Sequence, residues 1–152
     1  MQSIIFVCLG NICRSPLAEG IATKIAQERN LVLKIDSAGT GDWHIGEPPC
    51  DGSIKVAKMH GIEITHLRAR QFTREDIERF DLIVVLDESN RVQVKKIGAK
   101  NIEKLGCFGY ECQDVPDPYF FDGFDGFLEV YEMIEACVNE LFSVKFCKEE
   151  KL

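Results

Sequence analysis

The sequence predicts an α/β fold: a four-stranded parallel sheet with helices on both faces. Two observations about strands and one about chain order carry this. Ser3-Ile4-Ile5-Phe6-Val7 is an unbroken apolar, β-branched run, as expected of a strand covered on both sides. Asp81-Leu82-Ile83-Val84-Val85-Leu86 is a second run of the same kind. Segments with helical spacing of apolar residues alternate with these strands, and that order gives parallel pairing through helical crossovers.

The elements follow in order. Past the first strand the chain runs through Cys8–Pro16 into a helix, with Ser15 as its predicted N-cap and Pro16 as its first residue. Leu17, Ile21 and Ile25, flanked by Ala18 and Ala22, form its inward stripe. Leu31–Ile35 reads as the second strand, and a Gly-rich loop holding Trp43 and Pro48-Pro49 spans Ser37 to Asp51. Ile54, Val56, Ala57 and Met59 predict a helix ending at Gly61. Thr73 with Asp76 resembles a capping box for a short helix. A helix from about Glu88 to Ile97 follows the 81–86 strand, and Asn101–Cys107 supplies a weaker fourth strand. The last helix covers roughly Phe124 to Phe146, with Phe127, Leu128, Tyr131, Ile134, Val138, Leu141 and Phe142 on one face. No repeat or linker divides residues 1–152, which read as a single domain whose Lys145–Leu152 end frays.

With 152 residues, 45% of them hydrophobic, the chain can build a core without metal or disulfide staples. A net charge of −7 argues against nucleic acid as a partner, since phosphate-coating proteins need clustered Lys and Arg. No stretch approaches the ~20 apolar residues that cross a bilayer. The short run Ile4–Leu9 is no secretory signal, and the seven cysteines are odd in number. A reduced, cytoplasmic location is therefore expected, and each thiol is core, ligand or nucleophile.

In parallel sheets, ligands bind beyond the carboxyl ends of the strands. That rule selects Cys8-Leu9-Gly10-Asn11-Ile12-Cys13-Arg14-Ser15. Gly10 and Asn11 tolerate left-handed backbone angles, so successive N–H groups can converge into an anion nest at a helix N-terminus. Arg14 adds a planar fork for two phosphate oxygens. The same positive field favours the thiolate form of Cys8, which is then placed for in-line attack on phosphorus. Ser15 can donate its hydroxyl to that sulfur.

Other readings compete. Cys8 as a plain core thiol is what most cytosolic cysteines are. Zinc on Cys8/Cys13 or Cys107/Cys112 is disfavoured, because structural sites use tighter pairs and no His supports either. A nucleotide loop would carry G-K-[ST], which is missing. A cysteine and an arginine with five residues between them, set between a buried strand and a helix, favour catalysis. Asp117, between Pro116 and Pro118 and next to Tyr119, is the candidate general acid.

Together, Cys8–Pro16, Asp36-Ser37-Ala38-Gly39-Thr40, Ala69-Arg70-Gln71, Leu86-Asp87-Glu88-Ser89-Asn90 and Asp117-Pro118-Tyr119 resemble the low-molecular-weight protein tyrosine phosphatases, in order and over nearly the whole chain. The resemblance implies a Rossmann-like, flavodoxin-like sheet with the phosphate loop after the first strand, no metal and no cofactor. It implies hydrolysis of phosphotyrosine through a phosphocysteine, with Cys8 as nucleophile, Arg14 as phosphate clamp and Asp117 as acid, then base. Leu9, Gly10, Asn11, Ile12, Cys13 and Ser15 would bind substrate with Trp43 and Tyr119, and Ser37 would support the loop through Asn11. The implied partners are tyrosine-phosphorylated proteins and a cognate tyrosine kinase, for a monomer or weak dimer that touches no membrane.

The chain also departs from that pattern. The histidine that usually supports the loop asparagine is replaced by Leu67, with His66 one residue earlier. Phe120 stands where many members have a second tyrosine, and Asp87 reads as an N-cap. Arsenate reductases share the loop but need further cysteines after the third strand, and 84–90 holds none. Phosphoarginine phosphatases tend to carry Thr at the position of Ile12 and lack the tyrosine of the acid motif. Cys13 is expected to close a reversible, protective disulfide with Cys8. Cys50, Cys107, Cys112, Cys137 and Cys147 read as core or loop thiols.

Overall fold

The computed structural model describes residues 2–121 and 123–146. Four parallel strands, β1 (Gln2–Cys8), β2 (Leu33–Gly39), β3 (Leu82–Val85) and β4 (Ile102–Lys104), lie in the order β2-β1-β3-β4. The helices are α1 (Arg14–Glu28), α2 (Asp51–Met59), α3 (Arg74–Arg79), α4 (Glu88–Ile97) and α5 (Asp125–Lys145). The expected fold class holds.

Strand alternation divides the core. Ile4, Phe6 and Cys8 of β1 face α1, α2 and α5, where Leu17, Ile21, Val56, Ile134, Val138 and Phe142 are buried. Ile5 and Val7 point the other way, with Ile83 and Val85, onto Phe72, Phe80 and Val94 beside α3 and α4. A strand buried on both faces needs apolar residues at successive positions, which is what β1 supplies from Ile4 to Cys8.

Three elements differ from expectation. Ser15 does not cap α1: the helix begins at Arg14 with Cys13 at the N-cap, so Ser15 sits inside the first turn and its hydroxyl turns to Cys8. Strand β2 starts later and runs on through Ser37 to Gly39, residues expected to begin a loop. Register with β1, from Gln2 opposite Leu33 to Cys8 opposite Gly39, sets its length rather than its own apolar content. The polar Asp36 and Ser37 are tolerated because each is hydrogen-bonded. The fourth strand is only three residues long, and Leu105–Cys107 turns into a 3-10 helix.

The capping box of α3 is present: Thr73 N–H donates to Asp76, whose side chain is fully buried. Cys107 and Cys112 are joined by a disulfide, a correction to their reading as plain thiols. Tight turn bonds from Tyr110 and Cys112 N–H to the Gly106 carbonyl bring the two ends together. Cys8, Cys13, Cys50 and Cys137 are free, and Cys147 with the rest of 147–152 lies outside the described residues. Lys145, at the start of the segment expected to fray, closes α5 and pairs with Glu103 at 2.9 Å. No helix among the described residues is long and apolar enough to cross a membrane.

The strand order reverses at β1, whose neighbours β2 and β3 are the next two strands in sequence. The carboxyl end of β1 therefore opens into a crevice between diverging connections. The Cys8–Arg14 loop lies there.

Candidate active site

The loop is built on a close backbone approach. Asn11 takes a left-handed φ of 58°, and Thr40 and Gly41 N–H donate to the carbonyls of Cys8 and Leu9 at 2.9 and 2.8 Å. The loop passes so close to Gly39 that a Cβ there would lie 2.7 Å from the Leu9 carbonyl oxygen and 3.0 Å from Asn11 N. Glycine is the residue that fits.

The Cys8 sulfur is surrounded by donors. Asn11 N–H reaches it at 3.3 Å and Ser15 Oγ lies 3.0 Å away. Ser15 Oγ accepts from Asn11 Nδ2 at 2.7 Å, which leaves its own hydrogen for the sulfur. Asn11 Nδ2 also donates to Ser37 Oγ at 3.0 Å, and its Oδ1 accepts from Arg70 N–H at 3.0 Å. Arg70 is in turn held by Asp76 and Asp36 at 2.9 to 3.1 Å. Asn11 is thus supported by Ser15, Ser37 and the Arg70 backbone. Leu67, at the position of the missing histidine, packs against the core, and His66 is exposed.

Arg14 is buried, and its Nη1 donates to Asp87 Oδ2 at 2.7 Å and to the Val115 carbonyl at 2.9 Å. Burial pulls its pKa down, but the charges of Cys8 and Asp87 more than offset this and hold it above the ordinary value. Asp87 does cap α4, through Oδ1 and the Asn90 N–H, so the expected cap is only half of its role. The Arg14 contact had no local signal, since the partners are 73 residues apart.

Above the sulfur is a pocket of about 300 Å³ lined by Cys8, Leu9, Gly10, Ile12, Cys13, Arg14, Trp43, His44, Asp117 and Tyr119. Asn11, Ser15 and Ser37 lie behind it. Trp43 and Tyr119 are 67% and 63% exposed, so they stand as walls rather than as core cover. The Trp43 ring folds over Gly41, where a Cβ would collide with it. Asp117 caps the short turn Pro118–Phe120 by accepting from Tyr119 N–H at 3.0 Å. His44, unnoticed in the sequence, lies against Gly10 and binds Glu47 at 3.0 Å.

Cys50 begins α2 beside Cys13 and Tyr119. Its hydrogen bond with Cys13 draws the Cys50 thiol down to about 6 against the effect of burial, with help from Ser53. The same contact, and then burial, push Cys13 up.

The family model of the low molecular weight phosphotyrosine protein phosphatases matches residues 3–152. The chain belongs to this family. It is similar to the low molecular weight protein-tyrosine-phosphatase YfkJ of Bacillus subtilis, with 39% identity over 161 aligned positions covering 100% of both chains. PtpA of Staphylococcus aureus is 39% identical over 145 positions, covering 91% of each. The crystal structure of YfkJ superposes with a TM-score of 0.89 at 35% identity, covering 100% of this chain and 98% of that one. DARP, the Drosophila arginine phosphatase, gives 0.88 at 30% identity, covering 98% and 99%. Cysteine-dependent hydrolysis of phosphotyrosine is the chemistry of a low-molecular-weight phosphatase, and its substrates are phosphoproteins.

Proposed function

We propose that Cys8 attacks the phosphorus of a phosphotyrosine whose phosphate lies in the loop and whose ring stands between Trp43 and Tyr119. The observation that carries this reading is the Cys8 sulfur, facing two donors at 3.0 and 3.3 Å at the base of a pocket that Arg14 and Asp117 also line. Sulfur bonds to phosphorus as the phosphorus–oxygen bond breaks on the far side, and Asp117 gives its proton to the leaving phenol oxygen. Arg14, anchored through Nη1, offers its remaining N–H groups to the equatorial oxygens, where charge is held more tightly in the transition state. Backbone N–H groups of the Leu9–Cys13 loop add to this.

In the second step a water, losing its proton to Asp117, attacks phosphorus, and the Cys8 thiolate leaves with the Ser15 hydroxyl donating to it. The reaction needs no metal or cofactor. Ser37 supports the loop through Asn11. The substrates would be tyrosine-phosphorylated proteins, phosphorylated by a cognate kinase, and the chain would act as one domain in the cytoplasm.

The aromatic walls Trp43 and Tyr119, which stand out from the pocket that holds Cys8, support tyrosine over serine, since a short serine stem would leave phosphorus out of reach of the sulfur. Ile12 and Tyr119 support tyrosine over phosphoarginine. The test is turnover of phosphotyrosine, phosphoarginine and phosphoserine peptides side by side, with wild type and Cys8→Ser. Phosphotyrosine should be hydrolysed fastest, and Cys8→Ser should bind phosphate without turnover. Preferred hydrolysis of phosphoarginine would overturn the substrate reading, and undiminished turnover by Cys8→Ser the nucleophile.

A further inference from the structure

The polar chain behind the phosphate loop does not end at Ser37. Ser37 Oγ already accepts from Asn11 Nδ2, so its hydrogen must go elsewhere, and it goes to Glu19 Oε1 at 2.6 Å. That length is typical of a hydroxyl donating to an ionised carboxylate. Each hydrogen from there to the sulfur has one direction: Ser37 to Glu19, Asn11 to Ser37 and Ser15, and Ser15 to Cys8. Among the described residues, the Ser15 hydrogen has one other acceptor, the Ala38 carbonyl at 3.5 Å. Behind the sulfur, Glu19 is the member of this chain that can change its charge.

We propose that Glu19 is a positioning residue of the active site: through Ser37, Asn11 and Ser15 it fixes the hydrogen that the Cys8 sulfur receives, and taking up a proton loosens the arrangement. The proposal rests on the reading of Cys8 as the nucleophile. A charged acceptor binds a hydroxyl about twice as strongly as a neutral one. Once Glu19 is protonated, the Ser37 hydroxyl is held less firmly and Asn11 loses part of the support that keeps it in its left-handed conformation.

The surroundings allow this within the working range of pH. Glu19 is half-buried at the wall of a cavity of about 450 Å³ between α1 and the 61–67 segment, so protons reach it from solvent. Burial raises its pKa to about 7, with Asp36 of β2 acting in the same sense, while the Ser37 bond and Arg70 oppose them. Across the cavity stand Glu63 and His66, and on α1 itself Lys24 and Glu28.

The experiment is the rate of Cys8 alkylation by iodoacetamide between pH 5 and 9, read by mass spectrometry at that residue, for wild type, Glu19→Gln and Ser37→Ala. This readout does not depend on turnover, so failure of the nucleophile reading (turnover surviving in Cys8→Ser) is seen separately. The wild-type profile should carry an inflection near pH 7 beyond that of the thiol itself. Both variants should lose it, and kcat/KM for an aryl phosphate should fall about tenfold, mostly in kcat. A wild type without that inflection, or a folded variant that keeps it, overturns the proposal. If Glu19→Gln does not fold, Ser37→Ala, which leaves the carboxylate in place and cuts the chain, decides alone.

Discussion

Asp87 divides its two carboxylate oxygens between two elements: Oδ1 accepts the Asn90 N–H and starts α4, while Oδ2 accepts from Arg14 Nη1 at 2.7 Å. One residue thereby ties the helix after β3 to the arginine of the loop after β1. Asn is about as good an N-cap as Asp but carries no charge. Asp87→Asn should keep the melting temperature close to wild type while kcat/KM for an aryl phosphate falls about tenfold, as a charged hydrogen bond is lost. Asp87→Ala should lose both, with about 1 kcal/mol of stability gone. Equal melting temperatures for the two variants would remove the cap from the account.

Asp117 caps its own turn by accepting the Tyr119 N–H, a bond that an asparagine oxygen can also accept, so Asp117→Asn separates chemistry from folding. Asp117→Asn should lower kcat by about 10²- to 10⁴-fold for phosphotyrosine and far less for substrates whose leaving group needs no proton. Steady-state rates on both substrate types give the answer, and equal losses would argue against a general acid.

Gly39 has no room for a side chain. Gly39→Ala should push the Leu9 and Asn11 backbone outward, weaken inhibition by inorganic phosphate and cost about 1–3 kcal/mol in stability. Phosphate inhibition and thermal unfolding, measured together, test it.

Cys50 and Cys13 should differ in reactivity although they are neighbours. With Cys50 drawn down to about 6 and Cys13 pushed up, a Cys8→Ser protein should be alkylated at Cys50 with a midpoint near pH 6 and stay unmodified at Cys13 through pH 8. Peptide mapping at each pH distinguishes them.

Glu19 also predicts a sign for stability. The unfolded chain releases that proton near the ordinary glutamate value of 4.5, the folded chain near 7, so the folded state binds more protons between the two. Stability conferred by the protonated acid is full below 4.5 and is lost as pH rises through 7. Wild type should therefore lose stability over that window relative to Glu19→Gln, a difference that chemical denaturation at pH 4.5, 6 and 8 would reveal.

Much of the fold and half of the site were legible in the chain itself. The two central strands declare themselves because burial on both faces demands apolar residues at successive positions. The thiol, its nest and its arginine are contiguous, so one short segment between strand and helix carries all three. The Thr73–Asp76 box and the α4 cap are likewise local, made by groups three residues apart.

What the tertiary structure alone decided are the partners of those groups. Asp87 on Arg14, Glu19 on Ser37 and Arg70 N–H on Asn11 join residues 73, 18 and 59 positions apart. Helical and strand periodicity says which face a side chain occupies but not what it meets there. Only the parallel register of β2, β1 and β3, which brings their carboxyl ends side by side, fixes those meetings. The same register drew Ser37 into a strand, while the start of α1 at Arg14 left Ser15 free to serve the sulfur instead of capping the helix.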